Sequence, residues 1–133
     1  MLAVPKKPLI ACVDDDVSAR EALEGFLKAF GFAPEIFSSA EEFLKSERLD
    51  ETSCLIIDIH LGGMSGLQLQ SRLAASGSGI PVIVITAFPD DRVRARALSA
   101  GAVCFLNKPF DKEDLLTGIR SALNRRHGDL PHP

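Results

Sequence analysis

The chain has 133 residues, 46% of them hydrophobic and 25% charged, with a formal net charge of -3. That length suits one domain with a real core and is too short for two ordinary ones. The mildly acidic balance gives no reason to expect direct nucleic-acid binding. No apolar run approaches the roughly 18 residues of a membrane-spanning helix, so no membrane partner is expected. The opening Met1-Leu2-Ala3-Val4-Pro5-Lys6-Lys7-Pro8 has its basic residues after its apolar ones and lacks a signal-peptide core, which points to the cytoplasm.

In chain order, Leu9 to Val13 is a short apolar run ending in Asp14-Asp15-Asp16, the pattern of a first strand. From Val17 to Phe30 the residues Leu23, Phe26, Leu27 and Phe30 recur at helical spacing, a stripe suited to a sheet face, and Gly31 offers the left-handed stop. Phe32 to Phe37 predicts a second strand. Ser38 or Ser39 caps a short helix ending near Glu47, with Glu41 and Glu42 in its first turn. Ser53 to Ile57 predicts a third strand, buried on both faces, that runs straight into Asp58.

After the Gly62-Gly63 turn, a helix is expected from Gly66 to about Ala75, stopped by Gly77-Ser78-Gly79. Pro81 opens a fourth strand, Val82-Ile83-Val84-Ile85, ending at Thr86-Ala87. Asp90 or Asp91 caps a helix to about Ala100, in which Arg92, Arg94 and Arg96 spread around a solvated face. Ala102 to Leu106 predicts a fifth strand, ending at Lys108-Pro109. Asp111 caps a last helix in which Leu115, Leu116, Ile119 and Leu123 share a face.

Strands alternating with helices imply an α/β fold, a doubly wound five-stranded parallel sheet of order 2-1-3-4-5 in a flavodoxin-like (βα)5 single domain. Residues 1–8 are expected to be disordered, 9–124 to form the domain, and 125–133 to be a flexible tail or the start of a linker. Cys12, Cys54 and Cys104 lie in apolar runs without metal-ligand spacing, as buried reduced thiols do.

In that strand order Asp14, Asp15, Asp58, Thr86 and Lys108 converge on the carboxyl edge of the sheet, where open α/β sheets place their ligand sites. Carboxylates crowded in one crevice repel one another by a few kcal/mol even at an effective dielectric near 20. A hard divalent cation such as Mg²⁺ relieves that repulsion through oxygen ligands. An ionised Asp can attack phosphorus, with Lys108 neutralising one phosphoryl oxygen, Thr86 bonding another and the cation a third. No Ser/His/Asp or Cys/His arrangement and no nucleotide-binding glycine loop is present.

These residues carry a resemblance. The acidic pair Asp14-Asp15, Asp58 after the third strand, Gly66 eight residues on, Thr86-Ala87 and Lys108-Pro109-Phe110, each at a fitting strand end, make the chain from Leu9 to Leu123 similar to the receiver domains of two-component response regulators. The resemblance implies that Asp58 is the phosphoacceptor, taking a phosphoryl group from a sensor histidine kinase or phosphotransfer protein. It implies Mg²⁺, with Mn²⁺ able to replace it, held by Asp15, Asp58 and the backbone carbonyl of His60, with Asp14 acting through water. Lys108, Thr86 and the Ala87 backbone NH would contact the phosphoryl group. Thr86 and Phe105 would form the switch, and the Lys108-Pro109 bond would be cis.

The output surface would be the fourth helix, fifth strand and fifth helix, serving an output domain, a downstream protein or a homodimer. No turnover enzyme is expected, only self-phosphorylation and slow self-dephosphorylation. His60 and Phe88, flanking the path of hydrolytic water, would tune that rate. Gly62 stands where the family usually has proline, and with Gly63 it predicts a loop not fixed before metal binds. A competing assignment is a haloacid-dehalogenase-like phosphatase with Asp14 as nucleophile and Asp16 as general acid. It leaves Asp58 unexplained and lacks a later acidic pair.

Overall fold

The computed structural model describes residues 6–127. Three strands are wholly buried along their length: β1 (Leu9–Val13), β3 (Cys54–Asp58) and β4 (Val82–Thr86). β2 (Ala33–Phe37) and β5 (Cys104–Asn107) are the half-buried edges. All pairings are parallel, and the order is β2-β1-β3-β4-β5, as the alternating pattern predicts. Burial on both faces explains why the three central strands read as unbroken apolar runs whereas the edges read more mixed.

Strand alternation divides the core in two. Ala11, Val13, Leu55, Ile57, Val82 and Val84 face α2 (Ala40–Leu44), α3 (Gly66–Ser76) and α4 (Asp91–Ser99), which contribute Phe43, Leu69 and Ala97. Ile10, Cys12, Cys54, Ile56, Ile83 and Ile85 face α1 (Val17–Ala29) and α5 (Lys112–His127) through Leu23, Leu27, Leu115 and Ile119. Helix starts follow side-chain chemistry. Asp16, Ser39, Ser65 and Asp90 each accept a backbone N–H of the first turn, and Ser65 and Gln68 form a reciprocal capping box.

The boundaries depart from expectation in places with physical causes. α2 stops at Leu44, and a 3₁₀ turn at Leu49–Glu51 precedes β3. β5 starts at Cys104, not Ala102, because the Ala102 amide is taken by Ala97 O at 3.0 Å, closing α4. Phe30, placed on the buried stripe by its spacing, is half exposed at the C-cap of α1 and packs its ring on Phe26 at 4.8 Å. α5 continues to His127, so residues 125–127 are helical and not tail; helix-tolerant polar residues extend it after the apolar periodicity ends. The remaining expected tail, 128–133, and residues 1–5 lie outside the described residues. Pro8, expected to be disordered, has its carbonyl bonded by the Ala33 amide at 2.9 Å. No helix among the described residues is long and apolar enough to cross a membrane.

Candidate functional site: an acidic crevice with one lysine

Asp14 and Asp58 follow or end neighbouring strands, and both are buried, 0% and 6% exposed. Their shared partner is Lys108, whose Nζ donates to Asp14 Oδ2 at 2.7 Å and to Asp58 Oδ2 at 2.9 Å. β5 delivers that lysine, and the bond from Lys108 to Pro109 is cis. Partial burial alone would disfavour the ammonium, but hydrogen bonds and charge from Asp14 and Asp58 outweigh it and hold the Lys108 pKa above its ordinary value. The second oxygen of each carboxylate is bonded to backbone: Asp14 Oδ1 accepts from the Asp16 amide at 2.9 Å, and Asp58 Oδ1 from the His60 amide at 3.0 Å.

Asp15 is exposed at the rim, and oxygens of Asp14, Asp15 and Asp58 all lie within 4.8 Å of one another. Three carboxylates against one ammonium leave the crevice negative, and an all-oxygen donor set fits a hard divalent cation. His60 is the centre of a tight turn in which the Leu61 amide donates to Ile59 O at 3.1 Å, and its side chain is exposed. Gly66 explains itself by space. A Cβ there would overlap the Asp58 carbonyl oxygen and come within 2.9 Å of Ile59 Cα. Only glycine lets α3 start directly against the backbone of the phosphoacceptor candidate.

Thr86 is buried at the end of β4, but its Oγ1 accepts from the Phe88 amide at 3.0 Å and no bond joins it to Asp58 or Lys108. Its carbonyl accepts the Lys108 amide at 2.7 Å, which ties the two strand ends together. Ala87 is exposed beside it. Phe105 is half-buried, packs toward the α2–α3–α4 side of the core, and pairs directly with Val84 of β4, the strand that ends in Thr86. Phe88 is 70% exposed and meets the His60 ring edge-on, with centroids 5.2 Å apart and planes at 88°. The crevice therefore brings Asp14, Asp15, Asp58 and Lys108 together, with Thr86, Phe88 and His60 at its margin and Phe105 behind it.

Two contributors had weak or no sequence signals. Arg20 Nη1 donates to the Asp14 carbonyl at 2.7 Å. Helical side chains lean toward the N-terminus, so a basic residue in the first turn of α1 is a signal that could have found it. Glu41 reaches from α2 to the Met64 amide at 3.1 Å, a contact 23 residues apart that no local pattern announces. The Gly62-Gly63 segment, expected to be unfixed without metal, is followed by three bonded amides. They are Met64 to Glu41, Ser65 to Gln68 Oε1 at 2.8 Å, and Gly66 to Ile59 O at 3.0 Å.

A doubly wound five-stranded sheet with an acid-and-lysine crevice at its carboxyl edge is the arrangement of open α/β domains, whose ligand sites lie at the carboxyl ends of their strands. The family model described as response regulator receiver domain matches residues 10–120. Nodulation protein W of Bradyrhizobium diazoefficiens is 40% identical over 119 residues, covering 90% of this chain and 52% of that protein. The solved structure of the response regulator StyR shares 42% identity with a TM-score of 0.85, over 93% of this chain and 63% of that one. A response regulator receiver protein from Pseudomonas putida gives a TM-score of 0.80 at 30% identity, over 88% of this chain and 98% of that one. The chain belongs to the response regulator receiver domain family. It spans about half the length of the curated relatives it matches, 52% and 54% for two of them. Receiver domains are signalling modules of two-component systems, and as a class they bind Mg²⁺ and work with sensor kinases and output domains.

Proposed function

We propose that this chain is the phosphoacceptor module of a two-component response regulator, and that Asp58 receives the phosphoryl group. The donor is a phosphohistidine on a sensor kinase or phosphotransfer protein. An Asp58 carboxylate oxygen forms the new bond to phosphorus, the phosphorus–nitrogen bond breaks, and its electron pair returns to the imidazole of the donor. The observation that carries this reading is the bidentate use of Lys108, which holds Asp14 and Asp58 side by side at the strand ends.

Asp15, Asp58 and the His60 carbonyl would hold Mg²⁺ or Mn²⁺, with Asp14 acting through water, and the ion would supply charge neutralisation at the phosphoryl oxygens. Lys108 then bonds a phosphoryl oxygen, and the Ala87 backbone N–H and Thr86 hydroxyl take others. For Thr86, whose oxygen accepts the Phe88 amide, this means turning its own O–H toward the phosphoryl group, and Phe105 follows inward. The output surface is α4, β5 and α5, read by an output domain, a downstream protein or a second copy. Residues 9–124 form the receiver unit, and the compartment is the cytoplasm. Self-dephosphorylation is slow because the His60 and Phe88 rings narrow the water path. Phe88→Ala and His60→Asn should each speed loss of the phosphoryl group, and unchanged rates in both would contradict that role.

The phosphatase assignment is not favoured. Asp14 is buried and held by Lys108 and the Asp16 amide, while Asp16 caps α1 by accepting from the Ala19 amide at 3.2 Å. The general acid of that assignment is thus committed to a helix cap, and Asp58, bonded to the same lysine as Asp14, has no role in it. Acetyl phosphate with Mg²⁺ should leave a covalent adduct and little turnover of p-nitrophenyl phosphate. Many turnovers, abolished by Asp14→Asn, would favour the phosphatase instead.

A further inference from the structure

The β3–α3 loop has two adjacent glycines where a stiff residue would be expected beside a reacting carboxylate, and Gly63 adopts φ +73°. Glycine pairs raise the number of conformations such a loop can visit. Yet the loop is held from outside. Glu41, exposed in the first turn of α2, accepts the Met64 amide on Oε2 at 3.1 Å. The same oxygen lies where a Gly63 Cβ would stand, 2.7 Å from that position, so the carboxylate sits directly over the Gly63–Met64 backbone. A larger residue at 63 would push the carboxylate away. A glycine at 63 and an acid at 41 are therefore two halves of one fit.

We propose that Glu41 is a positioning residue for the phosphoacceptor site, a carboxylate clasp that holds the Gly62-Gly63 loop, and with it the His60 carbonyl, in register with Asp58. The inference rests on the receiver reading for what the loop positions, but not for the clasp itself. Between the clasp and the site the chain is short and tied. The Leu61 amide bonds Ile59 O, the Gly66 amide bonds Ile59 O, and the His60 amide bonds Asp58 Oδ1. Between Leu61 and Met64, both packed on the core, residues 62 and 63 carry no side chain that could hold the loop in place. Gly62 differs from Gly63 in a useful way. Its φ is not positive and a Cβ there would meet nothing within 4 Å, so a stiffening side chain fits at 62 although not at 63.

The test uses the whole chain and four forms: wild type, Glu41→Ala, Glu41→Gln, and Glu41→Ala with Gly62→Pro. Two quantities are read, amide hydrogen exchange at Met64 without metal, and the dissociation constant for Mg²⁺ alone. Losing a bond to a charged acceptor predicts Met64 exchange faster by about tenfold in Glu41→Ala, and Mg²⁺ binding weaker by about three- to tenfold. Glu41→Gln, which keeps an acceptor oxygen, should stay near wild type. The Gly62→Pro addition should recover Mg²⁺ affinity by stiffening the loop another way. A general loss of stability in α2 would not be cured by a proline in a different loop. Wild-type Met64 protection and Mg²⁺ affinity in Glu41→Ala, or no recovery in the double variant, overturns the clasp. Failure of the wild type itself to bind Mg²⁺ overturns the receiver reading, and the positioning role with it, even where Met64 exchange still reports the bond.

Discussion

Lys108 is the residue on which the crevice balances. Its ammonium is bonded by two carboxylates of which one, Asp14, is fully buried. Removing it by Lys108→Ala leaves that charge without its counter-ion, a loss of about 3 kcal/mol, the low end of the range for breaking a buried pair because the lysine side chain is partly exposed. Urea denaturation measures it. The pair also has a pH signature. The folded pKa of Lys108 lies above its ordinary 10.5, so the stabilisation is fully present below that value and is lost as pH rises through the raised one. Stability of the wild type should therefore fall more steeply than that of Lys108→Ala above about pH 10.5, and parallel curves there would contradict the pairing. The cysteines are quiet by comparison. Burial pushes the Cys12 and Cys54 thiols far up, and Cys104, on the edge strand, is only half-buried, with its thiol raised less completely sheltered.

At the scale of elements, the site depends on how closely α3 and β4 approach Asp58. Gly66→Ala forces a methyl into the Asp58 carbonyl and Ile59 Cα, and overpacking of this kind costs about 1–3 kcal/mol. Because the displaced backbone is that of Asp58, the variant should also slow phosphoryl uptake; normal uptake with normal stability would contradict the tight fit. Thr86 offers the second element-scale test. Its hydroxyl oxygen accepts the Phe88 amide, and its own O–H is the donor that the proposed switch turns toward the phosphoryl group. Thr86→Ala should still accept the phosphoryl group but show smaller amide shifts in α4 and β5 on phosphorylation than the wild type. Full-sized shifts would remove Thr86 from the coupling.

For the molecule as a whole, most of the fold was legible because the central strands are buried on both faces and end in polar punctuation. Cys54 to Ile57 and Val82 to Ile85 have no competing periodicity, and Ser39, Asp90 and the Gly77 stop act as expected. The strand order then converted scattered Asp14, Asp15, Asp58 and Lys108 into one crevice. What stayed hidden depended on contacts distant in sequence or on edges. Examples are the reach of Glu41 across 23 residues, the shifted start of β5, the helical continuation of α5, and Phe30 left outside the core by its place at a helix end. Periodicity reports which face is apolar, not where a helix stops or which exposed acid spans to a loop.

The central claim is that Asp58, and no neighbouring carboxylate, takes the phosphoryl group. Peptide mapping by mass spectrometry after incubation with acetyl phosphate and Mg²⁺ tests it most directly. A single phosphoryl adduct on the peptide carrying Asp58, absent in Asp58→Asn, is the predicted result. An adduct on Asp14 or Asp15, or one that survives in Asp58→Asn, would contradict it.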